Sequence, residues 1–327
     1  MSSEWSSEGY FHLNKRFKPD TDDTILNVDN LDSSGENRTE QGLFTGIDWS
    51  RLPYLVLVQV FQHLDNPDRY HAALTCKSWL LTLSSPAVWR KGHFKLNTKY
   101  DEYLLIFIRR MGKSFLHIRA DCARAQKAGD ISYSIRFLYQ FIEALLTTKN
   151  QQLVTLSLTG MEMWKSSCVH HKWEMVKKLA IIIEHQRNLQ VLDLSHAELN
   201  KDQGIRLLEA AASHRCHKTI HTLDIDRLIH YTQSMDVSTD KKFYRCMSRL
   251  SNLSVLKLYQ LYMSDNLLYL LAKTTRNSLR LISITEDHCI LNHPPTTSTA
   301  WQYLTSACAN LKVEVFINPR TVSSPSS

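Results

Sequence analysis

LQVLDLS, residues 189–195, carries its apolar residues in a fixed register: Leu189, then Leu192, then Leu194. The same register returns at Leu153/Leu156/Leu158, Ile220/Leu223/Ile225, Leu253/Leu256/Leu258 and Leu279/Ile282/Ile284. Two further segments, FLHIRA from Phe115 and LKVEVFI from Leu311, keep part of it. Each segment has the length and composition of a strand. Between them lie helical patterns such as KWEMVKKLAIIIEHQ (172–186) and SDNLLYLLAKTT (264–275).

The segments recur roughly every 26 to 40 residues, which is the leucine-rich-repeat period, stretched and irregular. In such an array each strand–loop–helix unit buries its leucines only against its neighbours. An unrelated α/β sheet would also alternate strands and helices, but the repeated register argues against it. The expected fold class is therefore α/β, with a solenoid over residues 96–318. Its parallel strands line the concave face and its helices lie outside. Residues 1–45, rich in Ser, Asp, Asn and Thr, are expected to be a disordered leader, and 319–327 a disordered tail.

Composition is that of a globular protein, 43% hydrophobic and 22% charged over 327 residues. The net charge of +7 is mild, no long Lys/Arg run stands out, and nucleic acid is not signalled as a partner. The seven cysteines are scattered, without a CxxC pair, and read as reduced intracellular thiols. The N-terminus has no signal-peptide core, and no apolar run reaches the length that spans a membrane. The expected location is cytoplasmic, nuclear or both, where the sequons at Asn37 and Asn252 would go unused.

Before the array stands LPYLVLVQVFQHL, residues 52–64, in which only Gln59, Gln62 and His63 interrupt the apolar residues. Leu52-Pro53 opens a helix, because proline is tolerated in a first turn. Asp65-Asn66-Pro67-Asp68 breaks it. A second helix is expected from about Asp68 with Ala72, Ala73, Cys76 and Trp79 at helical spacing, until Ser84-Ser85-Pro86 ends it. A surface helix needs one apolar stripe, not apolar residues all round. A unit of about 45 residues rarely builds a sufficient core alone. Something outside this unit must take up its surplus apolar surface.

This stretch resembles the F-box. The family pattern runs from Leu52-Pro53 through an apolar helix ending near Val60-Phe61 and Leu64. It continues with Asp68, the Cys76-Lys77-x-Trp79 element and a final Trp89. Leu55 stands where the family often has an acid, and Thr75 where a Val is usual. The resemblance implies a three-helix F-box over residues 46–95. It also implies binding to the Skp adaptor, itself held by a cullin–RING ubiquitin ligase. Many F-box proteins carry leucine-rich repeats, so the two halves agree. The residues expected to carry adaptor binding are Leu52, Pro53, Leu57, Val60, Phe61 and Leu64, with Trp79 and Trp89 holding the helices in register.

The partner of the repeats is expected to be a protein substrate. With leucines inward, alternate strand residues line the concave face. In chain order they run from His117 and Arg119 to Glu314 and Phe316. Asp193, Asp224 and Asp226 fall on adjacent strands, which lie about 4.8 Å apart, and would form one acidic patch. Such a patch calls for a cation. A Lys- or Arg-bearing target segment would supply it, with Tyr259 as an aromatic wall. Alternatively Arg227, Lys257 or solvent already satisfies the patch.

No P-loop, GxSxG, HExxH or dinucleotide fingerprint occurs, and no cofactor is expected. Cys168, His170 and His171 follow one strand, whereas His214, Cys216 and His217 precede another. They fall at opposite edges of the array and are read as loop residues, not a metal site. Met161, Met163 and Trp164 are read as edge core. The expected role is a non-catalytic substrate receptor of a Skp–cullin–F-box ubiquitin ligase. The alternative is a repeat scaffold or inhibitor acting outside a cullin complex.

Overall fold

The computed structural model describes residues 49–64, 66–96, 102–122, 128–162, 169–234, 237–287 and 296–318. The expected leader and tail lie outside them. The chain divides into two compact units, Met1–Val88 and Trp89–Ser327.

In the first unit α1 spans Tyr54–His63, α2 Asn66–Ala73 and α3 Lys77–Leu83. The apolar stretch is thus a helix despite its valines. Pro53 lends its carbonyl to the amides of Val56 and Leu57 at 3.0 and 3.1 Å, which starts the first turn. Leu57, Val58 and Phe61 are buried. The Phe61 ring meets Trp79 edge-on, centroids 5.3 Å apart, and the Trp79 indole N–H donates to the Trp49 carbonyl at 3.2 Å. Arg69 closes the other end of α1 by donating to the carbonyls of Phe61 (3.0 Å) and Gln62 (3.3 Å). A guanidinium at a helix C-terminus answers the carbonyls left without intrahelical partners.

One expectation for this region is corrected. The second helix is not continuous: it breaks after Ala73, and Cys76, with φ −157° and ψ 165°, is extended backbone that caps α3. Residues Lys91–Lys95, the end of the stretch expected to be the F-box, form strand β1 of the sheet. Trp89 goes with them, since its buried ring packs edge-on against Phe107, centroids 5.0 Å apart.

The second unit is one eight-stranded parallel sheet whose strands follow one another in chain order. After β1 (Lys91–Lys95) come β2 (His117–Asp121), β3 (Thr155–Thr159), β4 (Val191–Asp193) and β5 (Thr222–Ile225). Then follow β6 (Val255–Tyr259), β7 (Leu281–Asp287) and β8 (Lys312–Asn318). Every strand read from the sequence register is present. The helices between them are α4 (Glu102–Met111), α5 (Ala128–Thr147), α6 (Val169–Glu184) and α7 (Lys201–Ala211). The array continues with α8 (Tyr231–Ser234), α9 (Lys241–Arg249), α10 (Asp265–Thr274) and α11 (Ser298–Ala307). This is a leucine-rich-repeat solenoid.

The register explains why the leucines repeat. Leu156, Leu192, Leu223, Leu256 and Ile282 are successive pairing partners across five strands, and all are fully buried. Each such side chain contributes roughly 1.5–3 kcal/mol by leaving water. Polar side chains tie successive turns together at the strand entrances. The Gln186 side chain accepts from Leu153 N at 2.9 Å and donates to the carbonyls of Asn150 and Ile182 at 2.9 and 2.8 Å. Asn150 donates in turn to Gly112 and Phe115 at 2.7 and 2.8 Å. Buried loop carbonyls are satisfied this way where no helix or strand does it.

The loops leaving β3, β4 and β5 hold Glu162, His196, Glu198 and Arg227 at positive φ, between 42° and 55°. Backbone bonds such as Glu162 N to His196 O (3.0 Å) and His196 N to Asp226 O (2.7 Å) continue the ladder past the strands. Gly160, at φ 71°, is needed as glycine: a Cβ there would sit 2.5 Å from the Cys122 carbonyl oxygen.

Candidate functional site

Two surfaces stand out, one on each unit. On the first, α1 is apolar all round but can bury only one side. Leu57 and Phe61, expected at the adaptor-binding face, are instead the unit's own core. Trp79 is partly exposed and Trp89 is buried in the second unit. Of the expected adaptor-binding residues, Pro53 and Val60 are exposed, and Leu52 and Leu64 are half-buried. Tyr54, Leu55 and Val56 join them in solvent, with Leu55 72% exposed. Leu81 on α3 is exposed to the same degree. The sequence carried the signal for this surface, a helix too apolar for its unit, but not which side would be left over.

The second surface is the concave face of the sheet. Pairing aligns Arg119, Ser157, Asp193, Asp224, Lys257, Ser283 and Glu314 in one row, one residue per strand from β2 to β8. Asp193 and Asp224 are direct partners, as expected. Asp193 accepts from the Ser157 hydroxyl at 2.9 Å and from Ser195 N at 3.1 Å. Asp224 accepts from Asp226 N at 3.2 Å and lies 3.3 Å from the Lys257 ammonium. Burial pushes the Asp224 carboxyl up to about 6, and the neighbouring Asp193 charge adds to the shift. The Asp226 amide and Lys257 pull the other way. Lys257, itself nearly half exposed, is thus the protein's own cation for Asp224.

Asp226 does not join that row. It lies past the end of β5, 3.6 Å from His196 Nε2. Tyr259 is not an exposed wall either: it is 1% exposed, edge-on to Tyr262 at 6.3 Å, with the Arg227 guanidinium 5.5 Å from its ring centroid. At the other end of the face is a group the sequence reading passed over. Asp121 accepts from Arg119 Nε at 3.1 Å and from the Thr159 hydroxyl at 3.0 Å, and pairs with His93 at 2.7 Å. Burial alone would raise the Asp121 carboxyl, but these three hydrogen bonds hold it below the ordinary range. His93 belongs to β1, the strand the register did not mark.

Cys216 is buried, its thiol donating to the Ile183 carbonyl at 3.0 Å, while His214 and His217 have ring centroids 6.1 Å apart. Cys168 lies outside the described residues. Among the described residues no group of three His, Cys, Asp or Glu is placed to hold a metal ion. Met161 is buried, while Met163 and Trp164 lie outside the described residues. No helix of the described residues is long and apolar enough to cross a membrane.

Residues 49–95 match the F-box-like family model. Over 66 residues, 20% of this chain, the sequence is 36% identical to F-box/LRR-repeat protein 21 of Mus musculus. Over 57 residues, 17% of this chain, it is 37% identical to the Bos taurus protein of that name and 39% identical to the Ovis aries one. These matches span 15%, 13% and 13% of the length of those relatives.

Proposed function

We propose that this protein, an F-box-like domain followed by a leucine-rich-repeat array, is the substrate receptor of a Skp–cullin–F-box ubiquitin ligase. The observation that carries the reading is the outward side of α1. Tyr54, Leu55, Val56 and Val60 stand in water on a helix whose inner residues already fill the small core. A cluster of that kind marks a protein interface. Here it receives the Skp adaptor, through which the cullin is reached. The repeats hold the target. They supply no bond chemistry; the rate gain is proximity of the target to the charged ubiquitin-conjugating enzyme. On the concave row, Asp193 and Asp224 beside Lys257 favour a target segment carrying Lys or Arg that competes with Lys257 for the acid pair. The reading places the protein in the cytoplasm, the nucleus or both.

The test is co-purification of adaptor and cullin with the full chain. The double variant Leu55→Asp/Val60→Asp is expected to lose both while its circular dichroism spectrum and melting curve stay as before. Undiminished recovery of the adaptor with that variant would overturn the reading. Adaptor recovered without cullin would point to a scaffold outside the ligase.

A further inference from the structure

The two edges of the sheet are unlike. On β1 the core-side residues Gly92 and Phe94 are buried, and the other side shows Lys91, His93 and Lys95. Charged side chains on an edge strand are how natural sheets discourage further pairing. On β8 both sides are open. Val313 and Val315 occupy the core-side positions paired with Ile282 and Ile284 of β7. Ile282 and Ile284 are 0% and 6% exposed, whereas Val313 and Val315 are 38% and 51% exposed. Ile317 and, on the concave side, Phe316 are more than half exposed as well. Among the described residues no helix follows β8 to cover it. Lys312 and Glu314 pair with each other on the concave side, and an edge strand whose core-side residues are apolar and exposed is a template for another strand.

We propose that β8 is a self-association edge: two copies of this chain pair β8 antiparallel about a twofold axis through Val315, joining their sheets into one. The strand's own sequence selects this occupant and this register. Centred on Val315, each Val313 faces an Ile317 of the other copy, and Val315 faces itself, so every core-side apolar residue meets another. Glu314 then faces Phe316. A shift that centres the pair on Glu314 puts two like charges directly opposite, which is destabilising. A shift to Phe316 pairs Val313 with Pro319, which cannot donate to a ladder. A twofold contact also closes on itself and does not run on into a fibre. Seven-residue strands bury less than a standard interface, so the dimer is expected in the micromolar range, with dissociation constants of about 1–100 µM.

Sedimentation of the full chain from about 1 to about 100 µM should show its mass rising towards the dimer. Val315→Lys should stay monomeric throughout, with an unchanged melting curve. Val315→Cys places two sulfurs on the axis, at the roughly 4.4–6.8 Å Cα separation a disulfide needs. Treated with diamide, it should cross-link above the background set by the wild-type cysteines. Ile317→Cys should not, because four residues of strand put its copy about 13 Å away. The proposal falls if the wild-type chain stays monomeric at all concentrations. It also falls if Val315→Lys dimerises as before, or if Ile317→Cys cross-links as readily as Val315→Cys. Dimerisation of residues 1–318 alone, with the full chain monomeric, would assign the cover to residues 319–327 and overturn it too.

Discussion

The apolar residues of α1 and those of the sheet meet opposite fates. In the array, Leu223 is covered by Leu192 on one side and Leu256 on the other, and a row of five such residues is closed to water. In the first unit, Phe61 is fully covered while Val60, its chain neighbour, is exposed. The difference is one of supply. A repeat always has a next repeat to present its leucines to, until the last strand. A short helical unit has one small core, and a helix apolar on both sides must offer one of them to something else. Among the described residues, the outer side of α1 and strand β8 are two places where apolar side chains lack such cover.

The largest effect should come from the middle of the array. Leu223→Ala removes a side chain packed between two others, and a loss of about 3–5 kcal/mol is expected. Because repeats are stabilised by their neighbours, faster amide exchange should spread to β4 and β6 and not stop at β5. Exchange confined to β5 would show that the turns are more independent than the continuous row implies.

A middling effect is expected where the array buries charge rather than leucine. The folded Asp224 carboxyl titrates at about 6, above its ordinary 3.8. The native state therefore holds more protons than the unfolded state between those values. The stability contributed by this group is full below 3.8 and is lost as pH rises through about 6. Asp224→Asn keeps an acceptor for the Asp226 amide and removes the buried charge. It should gain about 1–2 kcal/mol near neutral pH, and nothing below the carboxylate range. Parallel stability–pH curves for the variant and the wild type would show that Lys257 fully answers the charge.

The smallest effect on stability is expected on the exposed side of α1. Val60→Ala should change the unfolding free energy read from a denaturant curve by no more than about 0.5 kcal/mol, as surface substitutions do. Phe61→Ala, one residue along, should cost about 3–5 kcal/mol. Similar costs for the two would erase the distinction between the core side and the open side of the helix.

Much of this was legible in the spacing of residues. The register of LQVLDLS and its copies marks seven strands because a strand's inward and outward positions are fixed by the backbone itself. The ordered set from Leu52-Pro53 to Trp89 marks the F-box by its residue types at set spacings, despite Leu55 and Thr75, and residues 49–95 match the F-box-like model. Asp193 and Asp224 could be placed opposite each other by counting, since equivalent positions in successive repeats become pairing partners.

What counting could not reach is burial, which depends on residues far away in the chain. KGHFK, residues 91–95, shows no leucine register; it is a strand because β2, some 26 residues on, offers it a ladder from Lys91↔His117 onward. Trp89 goes to the array because Phe107 is there to meet its ring. Tyr259 sits at an alternate strand position as expected, yet Tyr262 and Arg227 cover it. In α1 the sequence determined that the helix is apolar on every side. Only the packing of Trp79 on Phe61 decided which side was used up within the unit and which was left exposed. Periodicity is a local property of the backbone, whereas exposure is settled by whichever neighbour the fold brings.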